Sequence, residues 1–302
     1  MSKKKKILIF LLTFLIILSI SIAGSLYYIK TTFAKVEQVP IKQEELAINK
    51  EVEEKFGDIK NIALFGVDAP DGKAGRSDAI MILTLDSEHN KMKVTSIMRD
   101  SYVNIDGHGM DKINHAYAFG GPELAIKTLN ENFDLNIKDF VAVNFTSLPE
   151  IIDKIGGIEV ELTSEEVPHV PGTHVGMNVL NGNQALAYSR IRYATGGDYK
   201  RTERQRIVLD KVFNKLKSTP ISQYPSLINT FLPFVKTNMS ASEMLGLTKD
   251  FSSVLSSGLQ QERFPKDGQG TGQMINGVYY LTFNNDAVKS SIHNYIFEDV
   301  NK

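Results

Sequence analysis

Apolar and polar positions along the chain fall into three regimes. The first is a run from Ile7 to Ile29 without a charge, preceded by Lys3 to Lys6. At ~1.5 Å rise per residue it spans roughly 34 Å, enough for a hydrocarbon core of ~30 Å. Tyr27 and Tyr28 stand where an interfacial aromatic belt would, and the four Lys predict an N-in, C-out anchor. Ser21-Ile22-Ala23 also fits a small-x-small cleavage site, but the apolar run continues past it. The second regime, residues 30–57, is charged, contains Pro40 and has weak periodicity, as expected of a stalk. The division predicted is therefore a basic tail at 1–6, a signal-anchor helix at 7–29, a linker at 30–57 and an extracytoplasmic domain at 58–302.

The third regime alternates short apolar runs with helical stripes. Asn61–Val67, Ala79–Leu85 and Met92–Met98 read as strands, the last two joined by the polar turn Asp86–Asn90. Each delivers charge to an end: Asp68 after the first, Asp78 before the second, Arg99 after the third. Antiparallel pairing of the second and third would set Asp78 beside Arg99, and a shared sheet would add Asp68. Pro122 suits the first turn of a helix whose stripe is Leu124, Ala125, Thr128, Leu129 and Phe133. Phe140–Phe145 reads as a strand, Ser147–Ile155 as a helix closed by Gly156-Gly157, and Ile158–Leu162 as a strand. Residues 163–178 read as an irregular surface loop. Leu180–Tyr188 is expected to be helical, Thr195–Lys200 a flexible loop, and a helix is expected from Arg201 with Ile207, Leu209, Val212, Phe213 and Leu216 inward. Two further helices lie within 220–258, then a strand at Val278–Phe283 and a closing helix at Asp286–Phe297. The alternation predicts an α/β domain with helices layered on a sheet.

Composition changes this picture in two ways. Residues 37–302 carry a net charge of −7, the wrong sign for a nucleic-acid binder, and the absence of Cys excludes disulfides and thiolate chemistry. Of the 34 Lys+Arg residues only eight are Arg, and five of those eight lie within Ser189–Arg206. Arg76 and Arg99 sit in the other polar motifs, and Arg263 lies apart. A chain that uses Lys for ordinary surface charge has placed Arg where a planar five-donor fork is wanted, which points to phosphate or carboxylate. Arg190 and Arg192 point the same way only on extended backbone, since on a helix they diverge by about 200°. Arg201 and Gln205 share one face at an expected helix start, a ready anion site. Asp68 and Asp78, beside these Arg, are turn formers or the carboxylates of a Mg²⁺-bound pyrophosphate site. The six His lack metal-ligand spacing, and no GxSxG, HExxH or P-loop occurs.

Assembled in order, GVD (66–68), GRSDAIM (75–81), MRDSYV (98–103), KINHAYAFGG (112–121), LNGNQALAYSRIR (180–192) and RTERQ (201–205) resemble the LytR–CpsA–Psr family of cell-wall proteins. Met98 departs from the Pro usual there. The resemblance implies a three-layer α/β/α sandwich around a mixed central sheet, preceded by one transmembrane helix, with a hydrophobic channel for a polyprenyl tail. It implies a Mg²⁺-dependent phosphotransferase that moves an anionic glycopolymer, wall teichoic acid or capsule, from undecaprenyl pyrophosphate to peptidoglycan. Arg76, Arg99, Arg190, Arg192, Arg201 and Gln205 would hold the pyrophosphate. Asp68 and Asp78 would hold Mg²⁺ or activate the acceptor, so that Asp68, Asp78 and Arg99 are the expected catalytic set. The protein is expected in the cell membrane of a Gram-positive-type envelope, domain outside. The rival readings are a non-catalytic polyprenyl-pyrophosphate-binding scaffold and a lipid pyrophosphatase. The apolar faces of 124–133 and 207–216 are the candidate channel walls.

Overall fold

The computed structural model describes residues 31–69, 75–87, 89–191, 197–218, 224–254 and 259–300. The chain runs through β1 (Glu37–Gln38), α1 (Lys50–Lys55), β2 (Ile59–Asp68), β3 (Arg76–Asp86), β4 (Lys91–Ile97), β5 (Tyr102–Ile105), β6 (Gly109–Lys112), α2 (His115–Phe133) and β7 (Asp139–Asn144). It continues through α3 (Leu148–Lys154), β8 (Ile158–Leu162), β9 (Gly176–Leu180), α4 (Gly182–Arg190), α5 (Gly197–Ser218), α6 (Tyr224–Phe231) and β10 (Val235–Thr237). The last elements are α7 (Ala241–Val254), β11 (Leu259–Phe264), β12 (Gly270–Ile275), β13 (Val278–Phe283) and α8 (Asn285–Ile296). Seven strands form one mixed sheet in the order β1-β10-β7-β2-β3-β4-β11. Its centre, β2-β3-β4, is antiparallel, while β7 joins β2 and β11 joins β4 in parallel.

Strands β2 and β3 carry near-continuous apolar runs because both faces of the sheet are covered, while β4 also buries Lys93, Thr95 and Ser96. On one face Ala63, Phe65, Ile80 and Ile82 pack against Ile126, Leu129 and Phe133 of α2 and Val288 and Ile292 of α8. On the other, Leu64, Ala79, Met81 and Val94 meet Leu259, and Leu85 and Met92 meet Leu247 of α7. Ile82 is fully buried, so its truncation to Ala is worth about 2–5 kcal/mol. A third apolar cluster joins α3, α4, α5 and the β8–β9 hairpin. The helix beginning at Pro122 is preceded by an extra turn from His115. The two are separated by non-helical Gly120 and Gly121, the latter at φ 64 where only glycine sits without strain.

Several expectations change. Residues 30–57 are not a free stalk. Val36 and Leu46 are buried, Val39, Ile41 and Ile48 pack on the main core, and β1 pairs with β10. Asn130 fastens this segment, its Nδ2 donating to the carbonyls of Leu46 and Ile137 at 2.8 and 2.9 Å. The fold therefore begins by Val36 rather than at 58. The loop expected over 163–178 ends in a strand. β9 escapes the pattern because its exposed side chains are the apolar Met177 and Val179 while Asn178 is inward. Residues 197–200, expected as loop, are the first turn of α5, so Arg201 lies one turn inside the helix and not at its positive end. The apolar run Ile7–Ile29 lies outside the described residues, among which no helix is long and apolar enough to cross a membrane.

Candidate active site at one end of the sheet

Three strand ends converge here. Asp68, last in β2, pairs across the ladder with Arg76, first in β3, beyond a register shift at Gly66/Val67. Ala69 and Gly75, which follow β2 and precede β3, approach closely. A Cβ on Gly75 would stand 2.5 Å from the Cβ of Ala69, so glycine is required where the two arms meet. Asn144, at the end of β7, donates from Nδ2 to the Ala69 carbonyl at 2.9 Å and holds the residue that follows β2.

From β4 the chain leads directly into Arg99, whose Nη1 donates to Asp78 Oδ2 at 2.7 Å. Asn114 Nδ2 donates to the other Asp78 oxygen at 3.0 Å. Arg99 Nε lies 3.4 Å from Asp100 Oδ2, and Lys112 Nζ donates to Asp100 Oδ1 at 2.6 Å. Lys112 and Asn114 thus hold the carboxylates that hold Arg99. Their motif is legible in the sequence, but nothing in its spacing names a partner for either residue. His115 pairs with Asp111 at 2.8 Å in the same turn. Burial raises the Asp111 pKa, but the His115 contact and the Lys112 N–H outweigh it and leave the carboxyl below its ordinary value.

On the opposite flank, Arg190 Nη2 lies 3.3 Å from Asp68 Oδ1, with both side chains half exposed. Arg190 is the last residue of α4, and Arg192 lies outside the described residues, so their pairing on extended backbone does too. Arg201 is buried at 2 % exposure and Arg76 is exposed on its strand. Arg204 is committed elsewhere: its Nε donates to Glu166 Oε1 at 2.7 Å and its Nη1 to the Ile191 carbonyl at 3.4 Å. Burial acts to raise the Glu166 pKa, yet the Thr163 and Arg204 donors keep that carboxyl below its ordinary value.

Behind this rim is an apolar cavity of about 340 Å³. Leu64, Met81 and Val143 supply its sheet wall, and Val208 and Val212 of α5 close it. Its lining also includes Ser189 and Gln205, the first adjacent to Arg190 and the second one turn from Arg201. Of the expected 207–216 stripe, Val212 lines the cavity and Ile207 lines a separate cleft. The 124–133 face is not a cavity wall: Ala125, Leu129 and Phe133 are spent in the core on the other side of the sheet.

The donor set limits what metal can be held. No group of three or more His, Cys, Asp or Glu converges among the described residues, so an all-protein cage is not built there. Mg²⁺ does not need one, since it is commonly held by one or two carboxylates, retained waters and phosphate oxygens. Asp68, 49 % exposed beside its 3.3 Å contact, has the open hard-oxygen character such a site uses. Asp78 accepts donors at both oxygens and is the more constrained of the two.

The chain is similar to known proteins of one family. The profile of the LytR_cpsA_psr family matches residues 24–295. A polyisoprenyl-teichoic acid–peptidoglycan teichoic acid transferase, TagU, of Bacillus subtilis is 33% identical over 297 residues, covering 95% of this chain and 94% of the relative. A TagU of Enterococcus faecalis is 32% identical, with 93% of each covered. Among solved structures, TagT bound to LIIa-WTA is 30% identical with a TM-score of 0.66, over 79% of this chain and 91% of that one. TagT (YwtF) with bound octaprenyl pyrophosphate lipid is 28% identical with a TM-score of 0.62, over 80% and 92%.

Proposed function

The chain belongs to the LytR–CpsA–Psr family, and from that premise we propose that it transfers an anionic glycopolymer, of the wall teichoic acid or capsule type, from a polyisoprenyl pyrophosphate carrier to peptidoglycan. The observation that carries this reading is the joining of two unlike surfaces. An apolar cavity of about 340 Å³ shares Ser189 and Gln205 with a rim of Arg and Asp. A polyprenyl pyrophosphate is built the same way, an apolar tail on a compact dianionic head. Arg99, Arg190, Arg192, Arg201 and Gln205 take the head, Arg76 stands at its mouth, and the cavity takes the first isoprene units.

In the reaction, a sugar hydroxyl of the acceptor attacks the phosphorus that bears the glycopolymer. The new P–O bond forms as the bridging P–O bond breaks, and polyprenyl phosphate leaves. Positioning and charge stabilisation supply most of the catalysis in such a step. Arg99, fixed by Asp78 and Asp100, stabilises charge growing on the phosphoryl oxygens. Asp68, the more exposed carboxylate, accepts the hydroxyl proton or contacts the metal. Asp68 and Asp78 would hold Mg²⁺, which would supply charge neutralisation to the phosphates. The run Ile7–Ile29 anchors the chain with this domain outside the cell membrane.

The test is turnover by the full chain with Mg²⁺, a polyprenyl-pyrophosphate-linked disaccharide and uncrosslinked peptidoglycan glycan strands. Polyprenyl monophosphate and a phosphodiester-linked product should appear together, and only with the acceptor present. Release without acceptor would make it a pyrophosphatase, and binding without release a receptor. Either outcome overturns the proposal.

A further inference from the structure

The clamp and apolar cavity use one side of α5. A different side of the helix lines a second cleft of about 530 Å³, bounded by the β8–β9 hairpin and by the edge strand β11. Glu161, Met177, Glu203, Arg206 and Gln261 line it together with Tyr188 of α4. Lys211 lines both this cleft and a neighbouring one of about 480 Å³ that runs along Glu159, Val179 and Asn214. Two hollows sharing a wall along one helix suit a chain molecule better than a compact one.

Three observations define what fits. First, two buried atoms of the lining residues have no hydrogen-bond partner: Arg206 Nε, a donor, and Gln261 Oε1, an acceptor. Buried groups left in this state are costly, so a ligand that pairs them gains. One donor and one acceptor are the complement of a secondary amide, which offers one N–H and one C=O. Second, the hairpin pairs a carboxylate with an exposed apolar residue twice over. Glu161 stands opposite Met177 and Glu159 opposite Val179 in register, with Met177 56 % and Val179 64 % exposed. Sugars present that same duality, hydroxyl edges beside apolar C–H faces. Third, the lining charges are Glu159, Glu161, Glu203 and Asp210 against Arg206, Lys211 and Lys215. There is no positive excess to draw a polyphosphate, in contrast to the Arg-rich rim.

We propose that this double cleft binds the acceptor strand, as a chain of N-acetylhexosamine units whose acetamido groups meet Gln261 and Arg206. The assignment rests on the transferase reading, and it gives the two substrates opposite sides of α5. Tyr188 lies two residues before Arg190 on α4, and Glu203 and Arg206 flank Gln205 in the sequence of α5, so the same two helices carry the cleft and the clamp.

The test uses the full chain in detergent with chitohexaose as the probe, read by titration, and acceptor and donor KM read in the transfer assay. Gln261→Leu and Met177→Ser should each weaken chitohexaose binding by roughly fivefold or more. Acceptor KM should rise to match, with donor KM and kcat at saturating acceptor unchanged. Met177 is on the surface, so its variant separates loss of binding from loss of fold. Chitohexaose binding that neither variant changes overturns the proposal. So does an equal rise in donor KM, or binding of a free stem peptide in place of the hexaose. If no polyprenyl phosphate is released by the unaltered chain, the transferase reading fails by itself, and the chitohexaose titration still decides the cleft.

Discussion

Strand β3 has an aspartate near each end, and β4 with the residues that follow it brings a cation to both. At one end Asp86 and Lys93 have side chains with no exposure at all. Lys93 Nζ donates to Asp86 Oδ2 at 2.9 Å and to the Ile296 carbonyl at 3.2 Å, and lies 3.2 Å from Asp299 Oδ1. Three acceptors meet the three N–H bonds of the ammonium. Asp86 is completed by the His89 backbone N–H at 2.9 Å. At the other end Asp78 and Arg99 are bound as closely, at 2.7 Å, but remain 12 % and 14 % exposed. The cation differs as well. A compact ammonium can be enclosed whole, whereas a planar guanidinium can grip one carboxylate and still face a rim. Ion pairing alone therefore does not distinguish framework from site. Closure does.

The sharpest way to break this contrast is to remove one cation from each end. Lys93→Ala leaves a buried carboxylate without its main partner and should cost about 3–5 kcal/mol in denaturant unfolding. Lipid-substrate KM in whatever remains folded should be unchanged. Arg99→Ala should do the reverse. It should lower transfer by roughly 10²–10³-fold, the scale of one lost transition-state donor, while the melting temperature moves far less than in Lys93→Ala. If the two variants lose equal stability, the Asp78–Arg99 pair is framework too, and the distinction is gone. A smaller effect should follow from Gly75→Ala, which forces a methyl to 2.5 Å from the Ala69 Cβ. Relieving that overlap, at about 1–3 kcal/mol for overpacking, must shift Asp68 relative to Arg76. Turnover should fall by a larger factor than lipid affinity, measured as kcat against Kd.

How far the sequence exposed this arrangement depended on burial and on chain distance. β2 and β3 were readable because strands covered on both faces carry near-continuous apolar runs, β4 was readable despite its buried Lys93, Thr95 and Ser96, and their end charges were placed correctly from pairing alone. β11 was not readable: Leu-Gln-Gln-Glu-Arg-Phe is polar because it is the sheet's edge. That omission hid the place of Arg263, which seemed isolated in the chain. Parallel pairing of β11 with β4 sets Arg263 opposite Ser96, three residues before Arg99. Arg206 is close enough to Arg263 that burial, and then this second guanidinium, lower its pKa. Lys112 and Asn114 lay inside a recognised motif, but only folding shows that they brace Asp100 and Asp78. The start of α5 was set too late because Gly-Gly-Asp reads as a turn, although an acidic residue also favours the first turn of a helix.

The mildest probe of the same contrast is acid. Burial acts to raise the Asp86 pKa, but the His89 N–H and the Lys93 ammonium prevail and hold the carboxyl below the ordinary aspartate value. A carboxyl depressed in the folded state binds its proton more readily once unfolded. Its contribution to stability is therefore complete above the unfolded value of about 3.9. That contribution falls as pH drops from there through the folded value, and is absent below it. Asp86→Asn should therefore be less stable than the unaltered chain at pH 7, and the difference between them should narrow below about pH 4. Each proton so linked changes stability by no more than about 1.4 kcal/mol per pH unit, so the effect is small beside removal of Lys93. Urea midpoints taken between pH 7 and pH 3 on both proteins would measure it. A difference that stayed constant across that range would mean that the closed end of β3 is held by packing rather than by charge.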